Sequence, residues 1–264
     1  MNTLALTLSD GVTIARRNVI KIRRVPQTLV AVPVSPLLMV VMFHYIFGSS
    51  IEIPGVSYDG FLISGAFAMI LVFGSTFTGA GLADDLQKGI IDRFRSLPMS
   101  RSAVIVGRTV TDVIYNLLSL MVMALAGLAV GWRINGGLDD AMLAFVLLLA
   151  FAYAFSWIMA YVGLVVPSVE VVNNAATMVI FPLTFISNAF VPAENLVTPL
   201  RIFAQWNPIS AVTQASRELF GNVPAIAGEP TAWSLQHPVA YTLLWTILII
   251  AIFAPLSIRR FSRS

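Results

Sequence analysis

Six continuous apolar stretches divide the chain, at about 28–48, 61–82, 103–131, 141–166, 171–190 and 239–258, the third strongly apolar from Val113 onward. Each reaches the roughly 20 residues that a helix needs to cross a hydrocarbon core. None alternates between apolar and polar positions as barrel strands do, so the pattern predicts transmembrane helices and an all-α membrane protein. No repeat or low-complexity tract interrupts it, and residues 1–264 read as one transmembrane domain.

Three polar interruptions are long enough to carry structure. In the first, residues 1–27, Val12, Ile14, Val19 and Ile22 alternate with Arg16, Arg17, Lys21, Arg23 and Arg24. This suits an N-terminal amphipathic helix lying in the membrane interface, although a flexible basic tail that only sets orientation accounts for the same residues. The second is 83–101. The third, 191–238, contains PLRIFAQWNPISAVTQASRELFG, which is apolar and aromatic and is broken by Pro199 and Pro208. Short re-entrant helices before the sixth span fit it, because irregular backbone at membrane depth must be buried in protein. A small external cap is the other reading.

Composition agrees with the pattern: 58% of residues are hydrophobic and 11% charged, with a mean hydropathy of +0.85. The basic residues report topology. Thirteen of the sixteen Lys and Arg fall before the first span, between Lys88 and Arg108, or after Ile258, all on one side of a six-span protein. The positive-inside rule then places both termini in the cytoplasm of a multi-pass plasma-membrane protein, with some attraction to lipid headgroups and no nucleic acid as partner. No cleavage site follows the basic cluster, so the first span reads as a retained anchor. Without cysteine, neither a disulfide framework nor a thiolate metal site is available.

The usual catalytic motifs are missing from the sequence. Lys21 precedes Ile22 and Lys88 precedes Gly89, so neither completes the GxxxxGK[ST] loop that cradles phosphates. His44 and His237 stand far apart, outside any HExxH, and read as interfacial polar residues. No G-x-S-x-G elbow surrounds a serine. The chain reads as a non-enzyme with no metal or cofactor of its own. Ion-coupled transport calls for carboxylates deep within spans. The candidates are Asp112, one turn after Arg108 where an i,i+4 pair neutralises it, and Glu170 in the turn PSVEVVNN; both look peripheral.

In 83–101, Leu86, Ile90, Phe94 and Leu97 fall on one helical face, and Asp84, Asp85, Lys88, Asp92, Arg93 and Arg95 spread over the rest until Pro98. The pattern predicts an amphipathic cytoplasmic helix between spans two and three; a solvated connector is the plain alternative.

The stretch DDLQKGIIDRFRSLPMSR resembles the charged segment of ABC type-2 permeases, which ends in P-[VM]-S-R. Further on, Pro182, Ser187, Phe190, Pro192, Leu196, Asn207, Pro208, Ile209 and Arg217 occupy the places of that family's carboxy-terminal signature. The wording NPISAVTQASRELFG is most like the daunorubicin-resistance exporter permeases. Ala211, where many members carry tyrosine, and Asp85, where glutamate is commoner, depart from the pattern and leave the substrate subgroup open.

The resemblance implies a membrane subunit that pairs with a second permease, identical or related, and with two separate ABC ATPase subunits that hold ATP and magnesium. It also implies a coupling helix that docks on the ATPase. Asp85, Lys88, Asp92, Arg93, Arg95 and Arg101 would then lie at the contact and Glu170 at a second one, with Leu86, Ile90, Phe94 and Leu97 anchoring the helix. The expected function is export of a lipophilic drug, lipid or glycolipid; an ion-coupled carrier and a membrane scaffold are the alternatives.

For a cargo path, Tyr153, Trp157 and Tyr161 recur every four residues, as do Phe73 with Phe77 and Phe181 with Phe185. Asn188 would add polar contact. Packing, or an aromatic belt, explains the same spacing.

Overall fold

In the computed structural model, residues 34, 37–38, 40–42, 44–46, 58–91, 101–166, 168–193, 196–223 and 230–263 are described, the side chains of 101–104 and 262–263 excepted. Every regular element among them is a helix. They are α1 (Tyr58–Gly74), α2 (Thr76–Gln87), α3 (Arg101–Ala129), α4 (Leu138–Val165), α5 (Val169–Phe185), α6 (Thr198–Trp206), α7 (Pro208–Phe220), α8 (Trp233–Gln236) and α9 (Pro238–Arg263). The interfacial segment 1–27 and much of the first expected span lie outside the described residues, although those described between 34 and 46 are helical.

Among the described residues, four helices are long and apolar enough to cross a membrane: α1 with α2 as one run of 30 residues, then α3, α4 and α9. The expected fifth span is shorter than its apolar stretch. Pro182 brings no N–H to the helical ladder, and α5 stops at Phe185 after 17 residues, roughly 26 Å at 1.5 Å per residue. The break between α1 and α2 is small. Ser75 Oγ donates to the Val72 carbonyl at 2.6 Å and Thr76 Oγ1 to that of Phe73 at 2.7 Å, so local side chains compete for the ladder over one residue.

The expected helix starting at Ala83 is not a separate element. The second span's own helix continues to Gln87, and Gly89 then takes a left-handed φ of 63°. Helical backbone resumes at Ile90 and Ile91, while 92–100 lies outside the described residues.

Among the described residues of 191–238, three short helices form, α6, α7 and α8, the first two with Pro199 and Pro208 in their opening turns. The surprise is in α7, where Ser210, Thr213, Ser216 and Arg217 are all buried. Its polar side chains, not only its apolar ones, point into protein.

The centre of the bundle is α4, which packs most extensively on α9 and then on α2. Close approach to α2 depends on two glycines. A Cβ on Gly163 would fall 2.2 Å from the Gly79 carbonyl oxygen, and one on Gly79 would fall 2.6 Å from that of Met159. In lipid, where apolar side chains gain nothing by leaving water, such small-residue contacts let backbones approach and make packing the driving force. By contrast only 33% of the most apolar window of α3 and 22% of that of α9 is buried within the chain, so these helices present much of their apolar surface outward. Phe67 packs edge-on against Trp132 and Phe145, and Phe220 joins them, closing the α7 end of the core.

Replacing Gly163 by leucine drives a side chain into the α2 backbone, which cannot rotate away. Overpacking of this kind costs about 1–3 kcal/mol. Thermal unfolding of the purified protein in detergent is expected to show a clearly lower midpoint for Gly163→Leu, and an unchanged midpoint would contradict the contact.

Candidate functional site

The charged segment is held at both stems. On α2, Asp85 is buried at 5% exposure, and Arg108 of α3 donates to its Oδ2 from Nη1 at 3.4 Å. Arg108 Nη2 also donates to the Phe77 carbonyl at 3.3 Å, and its guanidinium lies over Gly81, where any Cβ would collide with it. Arg108 makes no hydrogen bond to Asp112, its expected i,i+4 partner; the guanidinium reaches across to α2, where the Asp85 carboxylate and the Phe77 carbonyl both accept from it. Asp112 is not peripheral either. It is 4% exposed and accepts a hydrogen bond from Thr78 Oγ1, again between α2 and α3.

Around this pair the segment's expected anchors shift register. Leu86 packs on a buried cluster of Leu82, Ile91, Ile105, Trp157, Ala160, Leu164 and Phe261, but the deep residue after it is Ile91, at 1%, while Ile90 is half-buried. The left-handed turn at Gly89 advances the phase by one residue, which a straight helical wheel misses. Lys88 stays on the surface, paired with Asp84 at 2.7 Å, and Glu170 is exposed in the first turn of α5 behind the Ser168 cap. Asp92, Arg93, Phe94, Arg95 and Leu97 lie outside the described residues; Arg101 opens α3. Of the expected contact residues, Asp85 thus faces into the bundle and Lys88 and Glu170 face out.

A second constellation forms at the opposite end. Asn207 caps α7: its Oδ1 accepts from the Ile209 N–H at 2.9 Å, and Pro208 fills the first helical position, where no N–H is needed. The Asn207 amide donates to the carbonyls of Leu183 at 2.6 Å and Ile186 at 3.3 Å, satisfying groups that α5 leaves open where it ends. Ten residues on, Arg217 is 1% exposed. It donates to the Phe61 carbonyl from Nε at 3.3 Å and to the Ala189 carbonyl from Nη2 at 2.8 Å, with its guanidinium carbon 3.5 Å from the centre of the Phe61 ring. Gly65 makes room for this, since a Cβ there would meet the Ala189 oxygen at 2.0 Å. The Asn188 N–H donates to Ser210 Oγ at 3.0 Å, and Pro192 follows the same turn, half-buried.

The expected aromatic stripes do not converge on one path. Trp157 is buried in the cluster with Phe261, Tyr153 meets it edge-on and Tyr161 meets Phe253. Phe181 and Phe185 stack on each other, centroids 4.2 Å apart, and stay exposed. Phe73 packs on the core while Phe77 faces out. A cavity of about 640 Å³ does exist, but it uses the adjoining face of α4, with Phe155, Met159 and Val162, against α5, α6 and α9. Four-residue spacing marks a face without saying which neighbour the face meets. Among the described residues no cluster of His, Asp and Glu is built to hold a metal.

Residues 11–220 match the ABC-2 type transporter domain, which takes in α1 to α7 and both constellations. The chain belongs to this family. It is 31% identical to the daunorubicin resistance ABC transporter permease protein DrrB1 of Streptomyces coeruleorubidus, over 97% of this chain and 87% of that one. A probable doxorubicin resistance ABC transporter permease protein, DrrC, of Mycobacterium tuberculosis is 25% identical over 88% of this chain and 80% of its own length. The putative transport permease ycf38 of Pyropia yezoensis is 24% identical over 78% and 72%. Together with the apolar helices, this makes the chain a membrane-embedded permease domain.

Two features of the permease escaped its sequence. His44 Nδ1 lies 2.5 Å from Asp59 Oδ1, joining the region of the first span to α1, and Asp85 reaches Arg108 across 23 positions. Neither spacing is a local pattern; only helix packing brings them together. The Arg217 contact makes a sharp test of the signature. Lysine keeps the charge but cannot span two carbonyls with a planar fork. Arg217→Lys is expected to lower stability by about 2 kcal/mol, in the range of hydrogen bonds to charged groups, read as a fall in the thermal midpoint. Wild-type stability would contradict this role.

Proposed function

We propose that the chain is the membrane subunit of an ATP-driven exporter, working with a second permease and with two ABC ATPase subunits that bind ATP and magnesium. Both termini and the 83–101 segment face the cytoplasm on this reading. The cargo is a lipophilic drug, lipid or glycolipid, in keeping with relatives named for daunorubicin and doxorubicin resistance.

One observation carries the proposal: the charged segment's stems are joined by Asp85 and Arg108, and α2 runs without interruption from there to its close contact with α4 at Gly79 and Gly163. A push on the segment therefore moves α2 and α3 as one body and reaches α4 through backbone contact. Packed helices transmit such displacements because they do not deform continuously. Lys88, Asp92, Arg93, Arg95 and Arg101 supply the charges that an ATPase surface reads, and Glu170, exposed at the start of α5, supplies a second contact.

The buried Asp112 favours a second reading, an ion-coupled carrier, since a carboxylate enclosed in a span is costly to keep. Vanadate separates the two. In vesicles containing the permease and its ATPase, vanadate is expected to stop transport, and transport that persists with vanadate while responding to an ion gradient supports the carrier instead.

The contact itself is tested by reversing charge. Arg93→Glu with Arg95→Glu is expected to leave membrane insertion intact, to abolish transport and to weaken co-purification of the ATPase. Normal transport by the double variant would remove the segment from the contact.

A further inference from the structure

The cavity beside α4 has a shape and setting that the coupling account leaves unused. Its wall along α9 runs from Trp245 to Phe253 and along α5 from Ala175 to Leu183, in each case about 12 Å of helix rise. It is thus a slot parallel to the spans, and its volume of about 640 Å³ is that of a site for one small molecule. Its wall is almost wholly hydrocarbon and aromatic, so it offers nothing to a polar ligand.

The two ends of the slot differ. At the α6 end, Trp206, Trp233, Tyr241 and Trp245 form a chain of edge-on rings, and Tyr241 Oη donates to the Trp206 carbonyl at 2.9 Å. Clustered Trp and Tyr mark the boundary between headgroups and hydrocarbon. Arg201, five residues before Trp206 on the same short helix, is exposed, and its guanidinium donates to the Leu196 carbonyl from Nε at 3.4 Å and from Nη2 at 3.2 Å. The other end is lined by Val162, in the last turn of α4, and by Phe253 of α9. Along one side the wall is also outer surface: Val179 is 64% exposed, Ile202 56% and Phe203 47%. A ligand entering by this side comes from the bilayer and not from water.

We propose that this slot holds one acyl chain of a membrane phospholipid, taken in sideways between α5 and α6 with its phosphate beside Arg201. The elongated form, the aromatic boundary at one end and the cation beside it suit a chain with a headgroup better than a compact hydrophobe. The inference rests on membrane embedding alone and holds whether or not transport is driven by ATP.

To test it, a photoreactive p-benzoylphenylalanine replaces Ile249 on the cavity wall or, as a bilayer control, Met121 on the exposed side of α3. The full chain is placed in nanodiscs of phosphatidylethanolamine and phosphatidylglycerol, irradiated, and its adducts identified by mass spectrometry. Phospholipid adducts are expected at both positions. Filling the slot with Ala176→Phe, or with Ile180→Phe as an independent variant, is expected to abolish the adduct at 249 and leave that at 121. The proposal is overturned by a control that labels while position 249 does not, by an adduct at 249 to a second copy of the chain, or by a lipid adduct at 249 that survives both filled variants.

Discussion

A guanidinium enclosed within a helical bundle must find its partners inside the protein, and Arg217 finds them on two separate parts of the chain. It binds the Phe61 carbonyl near the start of α1 and the Ala189 carbonyl in the turn after α5, from the last turn of α7. Much of the architecture follows from that requirement. Gly65 must lack a side chain so that Ala189 can approach, Asn207 must start α7 where α5 leaves carbonyls open, and Gly221 must end it with a left-handed residue at φ 70°. The short helices are therefore a wedge fixed between spans, with Asn207, Ser210, Ser216 and Arg217 all bonded inside the protein as a low-dielectric setting demands.

The opposite end of the bundle obeys the same rule with different consequences. Asp85 and Arg108 neutralise each other where α2 and α3 converge, and Thr78 serves Asp112 on the same seam. Removing Arg108 leaves the buried Asp85 carboxylate without its partner, which destabilises the seam even though the arginine itself is only half-buried. The seam thus behaves as a fixed joint at the base of a segment whose sequence is rich in charge. On the proposed reading, that joint and the contact of Gly79 with Gly163 form the path by which a soluble motor acts on the bundle.

Much of this was legible in the sequence, and the failures have physical causes. Apolar run length predicted α1 with α2, α3, α4 and α9 closely, because crossing hydrocarbon is a requirement that composition alone expresses. Pro199 and Pro208 marked the short helices, and the N-P-I and Arg217 signature located the wedge. Register near Gly89 was misread because one left-handed residue rotates everything after it, so Ile91 and not Ile90 is buried. The Arg108 partner was misread because i,i+4 spacing competes with a tertiary partner on the next helix. The spacing of Tyr153, Trp157 and Tyr161 allowed either a cargo path or packing, and their contacts are packing contacts, while the cavity uses other residues of the same helix.

The central claim is that the α2 and α3 stems move as one body because Asp85 and Arg108 join them, and that this joint carries ATPase motion to the spans. Exchanging the pair tests it most directly, by measuring ATP-dependent transport for Asp85→Arg, Arg108→Asp and the two together. The account predicts that each single variant loses transport and that the double variant regains it. Transport lost equally in all three, or untouched in either single variant, would contradict it.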